Sequence, residues 1–327
     1  MQSLPCDWGR GQSAGADPHS KPRDPATLLT SRTGPEVTTM RTDRSRRSQN
    51  IEDLRGQGPL RSGGGGMRFG IVGTLIAIGA ALFFGVDPRM VLGLMQAGEQ
   101  LAPASQPQVQ SGTPTDQAGD FVAAVLGDTE DTWGAIFRAG GAQYPPPTLR
   151  LFSGQVRSGC GLADSGAGPF YCPADRMVYI DLDFFRELET RFKAPGDFAQ
   201  AYVLAHEVGH HVQTVLGTSA KLRDAQARVG EAERNQLQVM MELQADCYAG
   251  IWAHHANRSR EILESGDIEE ALGAASAVGD DTIQKRMQGY VVPESFTHGS
   301  AQQRMTWFKR GLETGTLEAC DTFKSRG

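Results

Sequence analysis

Net positive charge is what this sequence most lacks. Acidic residues number 38 against 32 basic ones, for a formal charge of −6 and a pI near 5.7. Phosphate recognition calls for a basic face, none is evident in the second half, and nucleic acid is therefore excluded as the main partner. Apolar runs are nearly as scarce. Residues 1–66 are rich in Ser, Gly, Pro, Asp and Arg and hold no apolar stretch long enough to offset the entropy of ordering, so they read as a disordered tail. Cysteine is thin, with five in all, and Cys6 falls in that tail. The 40 glycines partly reflect a cluster at Gly63–Gly66 outside any packed region. With 39% hydrophobic and 21% charged residues, the remainder has room for one large or two ordinary domains with a real core.

One long uncharged stretch does exist. Phe69–Val86 is 18 residues without a charge, about the minimum for a membrane-spanning helix. No small-residue cleavage site follows it, because Val86-Asp87-Pro88 has the wrong chemistry, so a retained anchor is expected rather than a cleaved signal. Arg41, Arg44, Arg46, Arg47, Arg55 and Arg61 lie on its N-terminal side and Asp87 follows it. The positive-inside rule then predicts a single-pass protein with a cytoplasmic N-terminus and an extracytoplasmic domain, in the periplasm or at the cell exterior. Met40 opens the basic stretch, and the expectation is that translation begins there, leaving residues 1–39 as an artefact. The expected organisation is a tail at 1–66, an anchor at 67–88, a linker at 89–118 whose core, Leu101–Gln117, is rich in Pro, Gln, Ser and Thr, and a folded domain at 119–327.

Within that domain, Phe121–Phe137 carries apolar residues at helical spacing, with Asp128 as an interruption. Thr148–Val156 and Met177–Leu182 are β-branched and aromatic runs bounded by Pro or Gly, and read as strands. A helix capped by Gly196 or Asp197 is expected from Phe198 to Leu216, ended by Gly217. Further helices are expected over Glu231–His255, Ile268–Met287 and Ala301–Gly311. The predicted class is α+β, mainly helical, with a small sheet.

The chemistry is concentrated in His206-Glu207-Val208-Gly209-His210. On a helix, a spacing of four stacks both imidazoles one turn apart on one face, where they can hold one Zn2+. Glu207, rotated by one position, projects beside the metal and can act as general base toward bound water. A five-residue pattern also arises by chance on a helix surface. What strengthens it is Glu242-Leu243-Gln244-Ala245-Asp246 on the next predicted helix. Glu242 completes three protein ligands and leaves a fourth position open for water, as catalysis requires. Asp246, one turn on, is placed to accept the free N–H of a ligand imidazole and fix its tautomer.

These residues resemble the gluzincins, in which H-E-x-x-H is followed by E-x-x-x-D. More closely, the chain is similar to the bacterial neutral zinc metallopeptidases. The resemblance runs through Asn50-Ile51-Glu52-Asp53, the Gly run, Val86-Asp87-Pro88, Cys160-Gly161, Gly168-Pro169-Phe170-Tyr171-Cys172-Pro173, HEVGHHVQ, ELQADCYAG and Ser295-Phe296-Thr297-His298-Gly299-Ser300, and covers about residues 40–323. It implies a zincin-like metallopeptidase domain with one catalytic Zn2+, acting on a peptide or protein substrate. It also offers His298 as a donor to the oxyanion, beside the plainer reading of a residue that helps start the helix at Ala301. By fold analogy, Met177–Leu182 is the candidate edge strand for an extended substrate.

His211 points about 100° away from His210 on an ideal helix and reads as structural. His254 and His255, more than two turns past Glu242, read as surface groups near a helix end. Four cysteines in an extracytoplasmic domain allow three pairings; Cys160 with Cys172 and Cys247 with Cys320 are favoured. Two other functions use the same residues. One is zinc-dependent hydrolysis of a non-peptide amide of the cell envelope. The other is a metal-stabilised binding or chaperone-like module, for which an uncoordinated Glu207 has no use.

Overall fold

The chain enters the fold eighty residues earlier than its composition suggests. The computed structural model describes residues 39–55, 110–164, 166 and 168–324. Ile51–Asp53 forms β1, which pairs antiparallel with β2 (Gln110–Ser111) and parallel with β3 (Thr148–Phe152). Met40 and Ile51 are buried in the main core. The described arginines of the expected cytoplasmic flank, Arg41, Arg44, Arg46, Arg47 and Arg55, form ion pairs within the domain instead. Arg46 pairs with Glu130 and Asp131, Arg47 with Asp120, and Arg41 with Glu264. The expected disorder is therefore corrected for residues 39–55, which with 110–118 belong to the folded unit, while residues 1–38 and 56–66 of the expected tail lie outside the described residues. The signal was missed because a two- or three-residue strand buried by partners far along the chain carries no periodicity of its own.

The expected single-pass anchor is not among the residues that the structure describes. β1 and β2 are adjacent in one sheet, with Glu52 opposite Ser111 and Asp53 opposite Gln110, so residues 39–55 pack as part of the domain. Phe69–Val86 itself lies outside the described residues. Among those described, no helix is long and apolar enough to cross a membrane.

After β2, α1 (Gln117–Ala139) starts at Asp116, whose side chain accepts the Gly119 N–H. Asp128 does not interrupt it. Its buried carboxylate is satisfied by Arg260, Ser45 and the Trp252 indole, so the helix runs on. The run expected as one strand over Thr148–Val156 splits at Gly154, which turns with φ of 80°. β3 stays in the main sheet, while β4 (Gln155–Ser158) pairs with β5 (Gly161–Asp164) in a separate hairpin. β6 (Phe170–Cys172) and β7 (Met177–Asp181) complete a mixed sheet of order β2-β1-β3-β7-β6. β7 is thus interior, parallel to β3 and antiparallel to β6, and the expected edge strand is corrected to β6. Alternation along β3 and β7 puts Leu149, Leu151, Val178 and Ile180 into the main core and Phe152 and Tyr179 into a smaller one on the other face.

The second half is helical: α2 (Asp183–Thr190), α3 (Asp197–Val215), α4 (Thr218–Gln226), α5 (Glu231–Arg260), α6 (Asp267–Ala277), α7 (Asp280–Gln288) and α8 (Ala301–Thr314). The mainly helical α+β class with a small mixed sheet is as expected. The single helix expected over Ile268–Met287 breaks at Val278-Gly279. Asp280 and Asp281 there turn their carboxylates on the backbone N–H groups of residues 297–299 and 301, competing with helix continuation. α3 is buried along nearly its whole length, packed by α1, α5 and α6. α5 and α8 cross closely because Gly250 and Gly311 let backbones meet: a Cβ on Gly311 would lie 1.9 Å from the Cys247 carbonyl oxygen.

Two disulfides, Cys160–Cys172 and Cys247–Cys320, join the pairs expected. The first closes the loop before β6, and the second ties α5 to the C-terminal segment. They mark a domain that folds in an oxidising, extracytoplasmic space. His254 and His255 are not free surface groups. Their ring nitrogens meet the carbonyl oxygens of Leu312 and Gly315 at 2.7 and 2.8 Å, fastening the end of α8.

Candidate metal centre

The site forms where α3 and α5 touch. α3 carries an apolar face through Phe198, Ala201, Tyr202, Leu204, Ala205 and Val208, all buried, so the adjoining polar face is pulled inward with it. Gly209, between the two histidines, permits the contact: a Cβ there would sit 3.0 Å from the Ala245 carbonyl oxygen. The close approach brings Glu242 of α5 against His206 and His210 of α3. Its Oε2 lies 3.2 Å from His206 Nε2 and 3.5 Å from His210 Nε2.

The partners of the other ring atoms decide what this means. His206 Nδ1 meets Asp246 Oδ1 at 2.8 Å, and His210 Nδ1 meets Gln213 Oε1 at 2.9 Å. Gln213 is oriented by its own amide, which donates to the Met241 carbonyl at 2.7 Å. Both imidazoles therefore donate from Nδ1, and their Nε2 lone pairs face a carboxylate oxygen. Three facing lone pairs repel unless a cation stands among them, either added protons or one metal ion. The spacings of 3.2 and 3.5 Å match the edge of a tetrahedron with arms of 2.0–2.1 Å, about 3.3 Å. Two imidazoles and one carboxylate are a zinc donor set, and the residues present fit that ion.

The electrostatics agree. Burial works against the His206 imidazolium, but Asp246 and Glu242 outweigh it and push its pKa up to about 9. Burial also opposes the Glu242 carboxylate, and the two imidazoles overcome it, holding that group well below its ordinary range. Both shifts show a cavity that attracts positive charge. Glu207 behaves oppositely, because burial pushes it up from the ordinary value. It lines the same cleft, about 340 Å³, with Tyr171, Val203, His298 and Arg304, and it is not one of the three converging groups that could hold a metal ion.

Asp246 is fully buried and does more than hold His206. Arg304 of α8 grips it with two bonds of 2.8 Å, from Nε to Oδ2 and from Nη2 to Oδ1, and Tyr202 donates its hydroxyl at 2.6 Å. Burial would raise this carboxyl, but Arg304 and His206 hold it at about 2. Arg304 and Tyr202 escaped the sequence reading. Tyr202 precedes His206 by one turn, a spacing that could have flagged it, whereas Arg304 is one of three basic residues, with Lys309 and Arg310, on a helix with no motif to single it out. Gln213, three residues after His210, and Gln238, whose amide donates to Glu242 Oε1 at 2.9 Å, were also missed.

His298 reaches the cleft from the loop before α8. Asp280 Oδ2 accepts the backbone N–H groups of Thr297, His298 and Gly299 at 2.6–3.0 Å, and its Oδ1 lies 3.2 Å from His298 Nδ1. That bond to Asp280 raises the His298 pKa against the effect of burial. Ser300 and Gln303 form a reciprocal cap on α8, so the helix start needs nothing from the His298 ring. His211 points away, with Nε2 2.7 Å from the Pro145 carbonyl oxygen, in a structural role.

Comparison with known proteins places the chain in a family. Residues 40–323 match the family described as "Putative neutral zinc metallopeptidase". The chain is 48% identical over 292 residues to the "Uncharacterized protein YpfJ" of Escherichia coli K12, covering 87% of this chain and 99% of the relative. It is 42% identical over 259 residues to the "Uncharacterized protein Rv2575" of Mycobacterium tuberculosis H37Rv, covering 75% and 85% respectively. No solved structure matches. The chain belongs to the neutral zinc metallopeptidase family.

Proposed function

We propose that this member of the neutral zinc metallopeptidase family is an extracytoplasmic zinc peptidase of gluzincin type, with His206, His210 and Glu242 as ligands and Glu207 as general base. The observation that carries the reading is the confrontation of two Nε2 lone pairs with Glu242 Oε2, beside a buried carboxylate that is not a ligand. A bound Zn2+ would supply Lewis acidity toward a carbonyl and an acidified water. Glu207, its pKa raised by burial, is suited to take the proton of that water and return it to the leaving amine. Asp246, held by Arg304 and Tyr202, keeps His206 in the tautomer that presents Nε2. His298, whose pKa the bond to Asp280 raises, lies on the rim of the cleft and would donate to the developing oxyanion.

An extended substrate would align on β6. That strand is the edge of the sheet, and its Phe170 and Tyr171 line the cleft that holds the ligands. Main-chain pairing there would present a peptide carbonyl to the site, which favours a peptide over an isolated amide. The test is Glu207→Gln. The variant is expected to bind one zinc per chain and to lose casein turnover by 10²-fold or more. Undiminished turnover would exclude Glu207 as the base, and zinc-loaded wild type inert on casein and peptide libraries would point to a non-peptide amide.

A further inference from the structure

A second group of potential ligands lies at the opposite end of α3 from the histidines. Asp197, the first residue of α3, and Asp267 and Glu270, on the first turn of α6, each place one carboxylate oxygen so that all three lie within 4.8 Å of one another. Among the described residues, none of the three forms an ion pair with a lysine, arginine or histidine. Some of their oxygens are accounted for. Glu270 Oε2 accepts the Phe198 N–H at 3.0 Å, and Asp267 Oδ2 accepts the Glu264 N–H at 2.9 Å. Asp267 Oδ1 is not. It is buried with no hydrogen-bond partner, on a residue only 1% exposed. An unpaired carboxylate oxygen in that setting is costly, and two further carboxylates beside it raise the cost.

We infer that Asp197, Asp267 and Glu270 form a structural site for a hard divalent cation, Ca2+, separate from the zinc centre. The all-oxygen donor set excludes a preference for zinc, which favours nitrogen and sulfur here. Three carboxylate oxygens that all lie within 4.8 Å of one another can share one cation, and Ca2+ accepts them at 2.3–2.6 Å in a flexible shell completed by waters, whereas Mg2+ demands a near-ideal octahedron and keeps most of its own waters. Burial, together with the charges of Asp197 and Glu270, already makes the Asp267 carboxylate hard to ionise, with its pKa pushed up to about 6. A cation would remove that opposition. Its position gives it a purpose: it would clamp the foot of the zinc-binding helix to α6 and to the Met40 segment, whose backbone N–H bonds Asp197.

The experiment uses the full chain with stoichiometric zinc at pH 7.5, in calcium-depleted buffer, with CaCl2 as the added probe. At about fifty times a Kd on the order of 10⁻⁴ M, the unfolding temperature of the wild type is expected to rise by roughly 5–9 °C. Elemental analysis is expected to show one calcium beside one zinc. Asp267→Asn and, as a milder change that keeps an oxygen for the Phe198 N–H, Glu270→Gln are each expected to abolish the calcium-dependent rise while zinc content stays at one. A wild type whose unfolding temperature ignores calcium overturns the inference. So does an equal response to MgCl2, or variants that still respond fully. If the site is a protonated carboxyl cluster instead, Asp267→Asn will be more stable than wild type in calcium-free buffer and calcium will do nothing.

Discussion

Replacing Arg304 with methionine tests whether the metal ligands depend on a residue that touches none of the reaction. The side chain is 4% exposed and Asp246 is completely buried, so removing the guanidinium strands a carboxylate in a dry interior with only the Tyr202 hydroxyl and His206 as partners. Breaking a buried pair by removing one member costs about 3–5 kcal/mol, against the fraction of a kcal/mol expected for an exposed pair. In a domain of this size each kcal/mol moves the unfolding temperature by roughly 2–4 °C, so a fall on the order of 10 °C is expected in calorimetry. Methionine fills a similar volume, which confines the loss to charge and hydrogen bonding.

Zinc affinity should fall separately, by about 10- to 100-fold, because Asp246 no longer sits rigidly behind His206. Arg304→Lys restores the charge but not the two-pronged grip, and should recover stability more than affinity. The Asp246→Asn, Arg304→Met double variant should be less damaged than the sum of the two single changes, by about 0.5–3 kcal/mol. If Arg304→Met unfolds within a degree of wild type and binds zinc within twofold, the dependence of His206 on α8 is wrong.

The two disulfides enclose loops of 12 and 73 residues, for which chain entropy gives about 3 and about 4 kcal/mol, so Cys247→Ser with Cys320→Ser should lower denaturant stability more than Cys160→Ser with Cys172→Ser; the reverse order would refute a simple entropic role. For His298, the folded-state pKa is raised, so any contribution of its charged form is complete below about 6.5 and is lost as pH rises through the raised value. Asp280→Asn should therefore shift the alkaline limb of kcat/KM to lower pH, and an unmoved limb would remove His298 from the reaction. Finally, with Cys6→Ser as background, Arg44→Cys and Lys309→Cys, both exposed, should react alike with an impermeant maleimide on intact cells. Labelling of one without the other would break the pairing of the N-terminal segment with the domain.

What could be read from sequence was what is local. His206, Glu207 and His210 share two turns of one helix, and Glu242 and Asp246 share one turn of the next, so spacing alone grouped them into two sets. That the sets face each other depends on Gly209 meeting Ala245, which no spacing encodes. Arg304 comes from a third helix, 58 residues beyond Asp246, and its surroundings of Gln, Thr and Lys read as a solvated face. The same limit explains the strands. β7 announced itself as a strand through Val178, Tyr179 and Ile180, but whether it lies inside the sheet or at its edge depends on β6, a three-residue strand beside a disulfide.

Membrane topology is where local and non-local signals collide. The apolar run at Phe69–Val86 and the arginines before it obey the rules for a single crossing. Those rules assume that flanking charges are free to choose a side. Here Arg46 and Arg47 are bound to Glu130, Asp131 and Asp120 of α1, and Arg55 is bound to Asp116 at its cap. A folded partner fixes their side more firmly than a surface potential worth about 1 kcal/mol per residue. The disulfides put that partner in an oxidising space. Asp53 and Gln110 lie opposite one another in register, so the segment that carries these arginines belongs to the folded unit rather than to a free flank.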